Sequence, residues 1–421
     1  MQWLNSATIT RHPAWVIPLL VAALYGGTLS FGWSYDDALL IRDYSSAELS
    51  AGFSQPWSER FYRPLINYHF ALQYALFSNT TWLYHGVNLL LATLLMMLYF
   101  HILRRLEFSQ VQALTAVLLW LILPGNAVVV TWISAQIDLW ALLLMMASWL
   151  AFMHAQQEQT KRSAWLIASC ALALMAWLCK EISLSLPLIL TASLLLTGKS
   201  VRSERMWRLL VPHYLLWSGY FLWRLSVLGA RTVGERGFSE NAWVASHPLI
   251  AWAGMAIRYF EALLTAIYPL FLMPGWLTAI LLAAVVILFL RSVRDKKHIL
   301  LQDYGVIRFL LAWWVIATLP NMLDASPRLL GLPAFAVAAL LVTLFVRLWQ
   351  AATTWRPRLA LMALLYLLGQ LHINGQIQAC FTQPVYQSTL KYDINDRRRW
   401  PFSDLRNTRH EIRQFILKNV E

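Results

Sequence analysis

The side chains that could do chemistry fall in a few short clusters of this sequence. Asp36 and Asp37 stand together in Trp33–Ser34–Tyr35–Asp36–Asp37. Adjacent carboxylates repel, so one holds its proton longer or the pair shares a cation. An ionised one can accept the proton of a hydroxyl nucleophile; the plainer role is a water-exposed anchor at a helix end. Phe61–Tyr62–Arg63–Pro64 opens a second cluster. Arg63 can bind a phosphate, or pair with Asp36 or Glu59 and only fix a loop. His69, a little further on, reads equally as an interfacial histidine or a catalytic one.

Four more clusters follow. His85 and Asn88, three apart, either cap a helix or turn inward toward the Asp pair. Gln136 and Asp138 are suited to hold a sugar or a metal, although an anion at a helix start needs no function. Lys180 offers a point charge to a phosphate, or a salt bridge to Glu181 or Asp138. Arg224 lies inside the end of an apolar run, which implies a carboxylate or phosphate partner. Arg328, in Pro327–Arg328–Leu329–Leu330, can clamp a lipid-linked phosphate.

The elements that carry these residues are membrane helices. Of 421 residues 59% are hydrophobic and 13% charged, and the mean hydropathy is +0.52. One soluble core cannot hide that much apolar surface, and disorder, coiled coil and a disulfide scaffold are excluded by the same numbers. Cys170, Cys179 and Cys380 form no CxxC or clustered pair, so no zinc or disulfide framework is indicated. The apolar runs do not alternate, which favours helices over a barrel. About eleven spans are expected: 13–33, 82–103, 111–125, 137–153, 164–179, 182–198, 209–228, 270–290, 305–320, 329–348 and 358–373. The first reads as a retained span rather than a signal peptide. Residues 65–77 read as an interfacial helix opened by Pro64, with Tyr68, Phe70, Tyr74 and Phe77 as an aromatic belt and Arg63 and Asn67 on one face. Segment 248–267 reads as a second interfacial helix, with a pair of half-spans as its rival.

Short loops rich in Lys and Arg, such as Arg104–Arg105, Lys161–Arg162 and Lys296–Lys297, should face the cytoplasm. The acidic and mixed loops then face outward, and the net charge of +13 needs no nucleic acid. The predicted transmembrane domain covers 1–373, with an outer loop of juxtamembrane helices at 34–81. A small tail at 374–421 would lie outside, where Arg397–Arg398–Arg399 meets lipid phosphates or forms a solvated cap.

The ordered set Tyr35–Asp36–Asp37, Tyr62–Arg63–Pro64–Leu65, His85 with Asn88, Trp132–Ile133–Ser134 with Asp138, Lys180–Glu181, Arg224 near Gly229 and Pro327–Arg328–Leu329–Leu330 resembles the GT-C superfamily of polytopic glycosyltransferases. Within it the likeness is to the protein O-mannosyltransferases and their bacterial relatives. The chain lacks the tetratricopeptide-repeat tail of the eukaryotic transmembrane members. It also has only a small tail where the bacterial lipid A aminoarabinose transferases carry a sizeable outer domain.

The resemblance implies an all-α GT-C fold and transfer of a monosaccharide from a polyprenyl-phosphate donor to an acceptor hydroxyl, with inversion. The acceptor would be an envelope glycan or lipid, such as lipopolysaccharide, or a secreted protein such as a pilin. Asp36 would be the general base, and Asp37 would orient the acceptor or bind a cation. The substrate-binding set would be Arg63, His85, Asn88, Gln136, Asp138, Lys180, Glu181, Arg224 and Arg328, its cations meeting phosphate. No cofactor is expected, a divalent cation being the one alternative. The predicted setting is a bacterial inner membrane with the site facing the periplasm. A transporter or flippase for a lipid-linked sugar is the competing class; it would want mid-membrane charges and inverted repeats. Donor trials separate both from a ligase using diphosphate-linked glycans.

Overall fold

The structure, a computed structural model, describes residues 13–34, 37–56, 61–197, 203–229, 304–319, 331–351 and 356–382. Within them regular structure is helical, apart from single bridge residues at Ser34 and Phe61. Helix α1 (Pro13–Tyr25) runs into a 3-10 turn at Gly26–Ser30. The short α2 (Asp37–Leu40), α3 (Ser46–Ala51) and α4 (Pro64–Phe77) lead to α5 (Thr81–Arg105), α6 (Gln110–Ile122) and α7 (Pro124–Thr131). Next come α8 (Gln136–Gln157), α9 (Arg162–Cys179), α10 (Leu186–Leu196) and α11 (Ser203–Leu228). The last described elements are α12 (Tyr304–Thr318), α13 (Gly331–Ala351) and α14 (Arg356–Cys380).

Local sequence starts and stops these helices. Ser45 with Glu48, and Ser109 with Gln112, close capping boxes at α3 and α6. Pro64, Pro124 and Pro187 sit in the first turns of α4, α7 and α10, where a missing N–H leaves no bond unmade. Gly229 takes φ +59 just past α11, the left-handed turn that ends many helices.

Four described helices are long and apolar enough to cross a membrane: Thr81–Arg105, Ile133–Gln157, Arg162–Cys179 and Gly331–Gln350. Shorter apolar helices at Trp15–Ser30, Glu181–Leu196 and Gly305–Thr318 fall on three more of the expected spans. The expected third span, 111–125, is different. Its helix ends at Ile122, and Gly125–Thr131 leaves at 78°. Pro124 explains the bend, because it drives the preceding Leu123 into extended backbone at φ −62, ψ 132. The eleventh expected span ends at 373, yet α14 runs on to Cys380. There Asn374 donates to the Tyr25 hydroxyl (2.9 Å) and Gln378 to the Leu24 carbonyl (3.1 Å), tying the extra turns to α1. The expected 248–267 and 270–290 helices, and the tail beyond 382, lie outside the described residues.

Helix α8 packs along α9 and α5, α12 along α13 and α10, and α13 against α6. Aromatic rings fill the middle: Trp120 stacks on Phe335 at 5.1 Å, and Trp149 meets Trp313 edge-on at 4.8 Å. Buried polar links join helices where an unpaired group in lipid would be costly. Ser169 Oγ on α9 donates to the Ser148 carbonyl on α8 (2.8 Å) and lies 2.8 Å from His213 Nε2 on α11. Helices α5 and α8 run parallel. Asn88, early in α5, donates to the Trp132 carbonyl just before α8, while Arg105, at the end of α5, donates to Gln157 at the end of α8. The first of these two ends carries the site.

Candidate functional site

Of the predicted site residues, all but Asp36 and Arg328 are described, and they gather at that one end. The α7–α8 junction is its floor. Asn88 bonds the Val130 and Trp132 carbonyls at 3.0 and 2.8 Å. The Trp132 indole donates to the Ser34 carbonyl at 3.3 Å, and Ser134 donates to Asp37 Oδ1 from its amide (2.9 Å) and hydroxyl (2.5 Å). Asp37 Oδ2 accepts from the Ser34 amide at 2.8 Å. Asp37 is thus fully buried and holds the chain after α1 against the α7–α8 junction. His85 turns inward as well, with its ring edge-on to Phe31.

The turn after α9 places two charges in opposite directions. Lys180 Nζ reaches Asp138 Oδ1 in the first turn of α8 at 2.5 Å, with both side chains 4% exposed. Glu181 receives a two-pronged grip from Arg63, Nε to Oε2 at 3.1 Å and the terminal nitrogen to Oε1 at 2.5 Å. Arg63 is the residue before α4, so this pair pins that helix to the α9–α10 turn. Burial pushes the Glu181 carboxyl up, but the charge and hydrogen bonds of Arg63, backed by Arg224 and Lys180, hold it well below the usual carboxylate range. Among the described residues Arg63 pairs with an acid 118 positions away; its expected partners Asp36 and Glu59 lie outside them.

Arg224 comes in from α11. It is 3% exposed, donates to the Tyr62 carbonyl at a long 3.5 Å, and its Nε has no partner among the described residues. Its neighbours Trp223 and Tyr62 are linked, indole to phenol, at 2.9 Å. Around this turn three cations, Arg63, Lys180 and Arg224, face two acids, Asp138 and Glu181. Asp37 is a third buried acid at this end, and Arg224 stands out by its Nε, which has no partner among the described residues.

Gln136 is buried and fully engaged, its amide donating to the Tyr84 carbonyl at 3.0 Å and its oxygen accepting from Gln73 at 2.6 Å. The sequence reading passed over Gln73 and Trp140, although each stands four residues after a polar partner, His69 and Gln136. That spacing puts them on a shared helix face. Among the described residues no group of three His, Cys, Asp or Glu side chains could hold a metal ion.

No family model matches this chain, and no curated protein matches it. Among solved structures it is similar to the apo crystal structure of the Archaeoglobus fulgidus oligosaccharyltransferase, with a TM-score of 0.48 and 11% identity. That alignment covers 99% of this chain and 60% of the archaeal one, so the chain spans about 60% of its length.

Proposed function

We propose that this chain is a GT-C-type membrane glycosyltransferase that moves a monosaccharide from a polyprenyl-phosphate donor to an acceptor hydroxyl. The observation that carries the reading is Arg224. It is a buried guanidinium whose Nε is unpartnered among the described residues, beside an acid already taken by Arg63. A cation so placed in an apolar bundle suits an anion brought from the bilayer, and the phosphate of a lipid-linked sugar is such an anion.

In this reading Asp36, next to the anchored Asp37, takes the acceptor hydroxyl's proton. The acceptor oxygen attacks the anomeric carbon in line as its bond to the phosphate oxygen breaks, inverting the centre. The polyprenyl phosphate leaves with the bonding pair, and Arg224, with Arg328 from the segment before α13, stabilises the growing negative charge. Arg63 and Lys180, tied to acids, set the positive field behind it. The acceptor is an envelope glycan or lipid, or a secreted protein, on the face opposite the Lys/Arg-rich loops; a bacterial inner membrane with a periplasmic site fits that sidedness.

Purified full chain in nanodiscs, given short-chain polyprenyl-phosphate sugars, tests this. Arg224→Met should lower kcat/KM by roughly 10- to 150-fold, the worth of one charge-assisted hydrogen bond. Asp36→Asn should abolish transfer while leaving the melting temperature unchanged. Undiminished transfer in Arg224→Met overturns the phosphate site; undiminished transfer in Asp36→Asn overturns the assigned base.

A further inference from the structure

Two consecutive residues in front of α4 grip three other parts of the chain. Arg63 takes Glu181 in the turn after α9, while Tyr62 takes α11 and the segment after α3. Both bonding directions of the Tyr62 phenol are used. It accepts from the Trp223 indole at 2.9 Å and donates to the Phe53 carbonyl at 2.9 Å. An indole N–H only donates and a carbonyl only accepts, so both directions are fixed. Burial pushes the phenol's pKa up, against the Trp223 hydrogen bond and the Arg224 charge, so the phenol keeps the proton it donates. Tyr62 is 1% exposed, whereas Trp223 is 51% exposed. The indole therefore depends on this bond more than on packing for its place.

The same tyrosine reaches the next residue of α11. Arg224 Nη1 lies 3.5 Å from the Tyr62 carbonyl, and the guanidinium also donates to the Tyr220 phenol, one turn earlier. Tyr220 in turn donates to the Trp177 carbonyl on α9 at 2.7 Å. A contact of 3.5 Å is too weak to hold a guanidinium by itself. It persists because the phenol, anchored on Phe53 and tied to Trp223, keeps the Tyr62 backbone against this turn of α11. The Arg224 Nε is left unpartnered among the described residues.

We propose that Tyr62 is a positioning residue for sugar transfer, its phenol and carbonyl together holding Arg224 toward the donor phosphate, with Trp223 as the link. The proposal rests on the glycosyltransferase reading. Without the phenol, donor binding has to order the guanidinium itself, and affinity falls by that cost.

The test uses the full chain in nanodiscs with short-chain polyprenyl-phosphate sugars, each variant assayed well below its melting temperature. Tyr62→Phe keeps the ring and the carbonyl and removes both phenol bonds. Trp223→Phe breaks only the link to α11, at a half-exposed site where folding is least disturbed. Each should raise the donor KM by about three- to tenfold, the worth of a neutral hydrogen bond, and change kcat less than KM. Combined with Arg224→Met, neither should raise KM further, because the group they position is gone. A second measurement needs no sugar. Calorimetric titration with farnesyl phosphate, a prenyl monophosphate, should show the same pattern in Kd. Unchanged KM and Kd in both single variants, or an equal further loss in the Arg224→Met background, overturns the positioning role while the transferase stands. Failure of the wild type to transfer any of these sugars overturns both.

Discussion

At one end of the bundle Lys180 and Asp138 meet at 2.5 Å with both side chains 4% exposed; at the other, His154 and Glu158 meet at 3.4 Å with side chains 23% and 44% exposed. Lys180–Asp138 joins α8 to the turn after α9, whereas His154–Glu158 is a local pair four residues apart at the end of α8. The difference is solvent. Near water, a pair is screened and each group is content alone. In an apolar bundle, a charge without its partner is expensive, so pairs there are retained only where geometry is good. The first end has gone further than pairing. It also buries Arg224, whose Nε has no partner among the described residues, and that is a cost that folding alone does not explain.

The largest effect should come from separating the most buried pair. Lys180→Met strands Asp138 and should destabilise the protein by about 3–5 kcal/mol, read from thermal melts in nanodiscs. Lys180→Met combined with Asp138→Leu should recover most of that loss, since two apolar side chains strand no charge. If the double variant melts no higher than the single one, the pair is holding a network rather than itself.

Glu181→Gln is the next step down, because its carboxylate is 31% exposed. Loss of the bidentate charge should cost about 2–3 kcal/mol. The pH dependence has a definite sign. The folded carboxyl is held below its unfolded value, so its stabilisation is complete above about pH 4.3 and is lost as pH falls through the lower folded value. Melts of wild type and variant should therefore differ by a constant amount from pH 8 to about 5, and converge below about 4. A difference that already shrinks between pH 7 and 6 would mean another group sets it.

The elements were more legible in the sequence than their partners were. Pro64 marked the start of α4, and the run to Phe77 marked its length, because both signals are local. The expected third span ran through Pro124 to 125, because Pro124–Gly125 reads as readily as the end of a span as the first turn of a new helix, and α7 was missed for that reason. The belt on α4 divides: Phe70 is fully buried and Tyr68 is exposed, a distinction that depends on what lies beneath the helix. Arg63 was visible as a cation seeking an acid. Its acid lies 118 positions away, and no spacing rule reaches that far. Asp37 looked like half of a reactive pair; its burial against Ser134 depends on where the α7–α8 junction falls. Ser134→Ala probes that anchor. The Ser134 amide would still donate to Oδ1, so the loss should be about 1–2 kcal/mol by thermal melt. Transfer should fall by more than stability does, because the loop end that bears Asp36 is loosened. Equal changes in both would reduce Asp37 to a fold residue.

The smallest effect belongs to the other end. The Glu158 carboxyl is lowered by a hydrogen bond from the Trp165 indole at 3.0 Å, which outweighs a small opposing effect of burial, and less by His154. Any stabilisation it gives is present above the unfolded carboxylate value and fades as pH falls through the lower folded one. Glu158→Gln keeps an acceptor for the indole and removes only charge, and the group is open to solvent. Its melting temperature should match the wild type at pH 7 and at high salt alike, and its transfer activity should be unchanged. A clear loss of stability at low salt that disappears at high salt would show that charge at this end matters too. Solvent exposure would then not be what separates the two ends, and the buried Arg224 would lose its argument for a ligand.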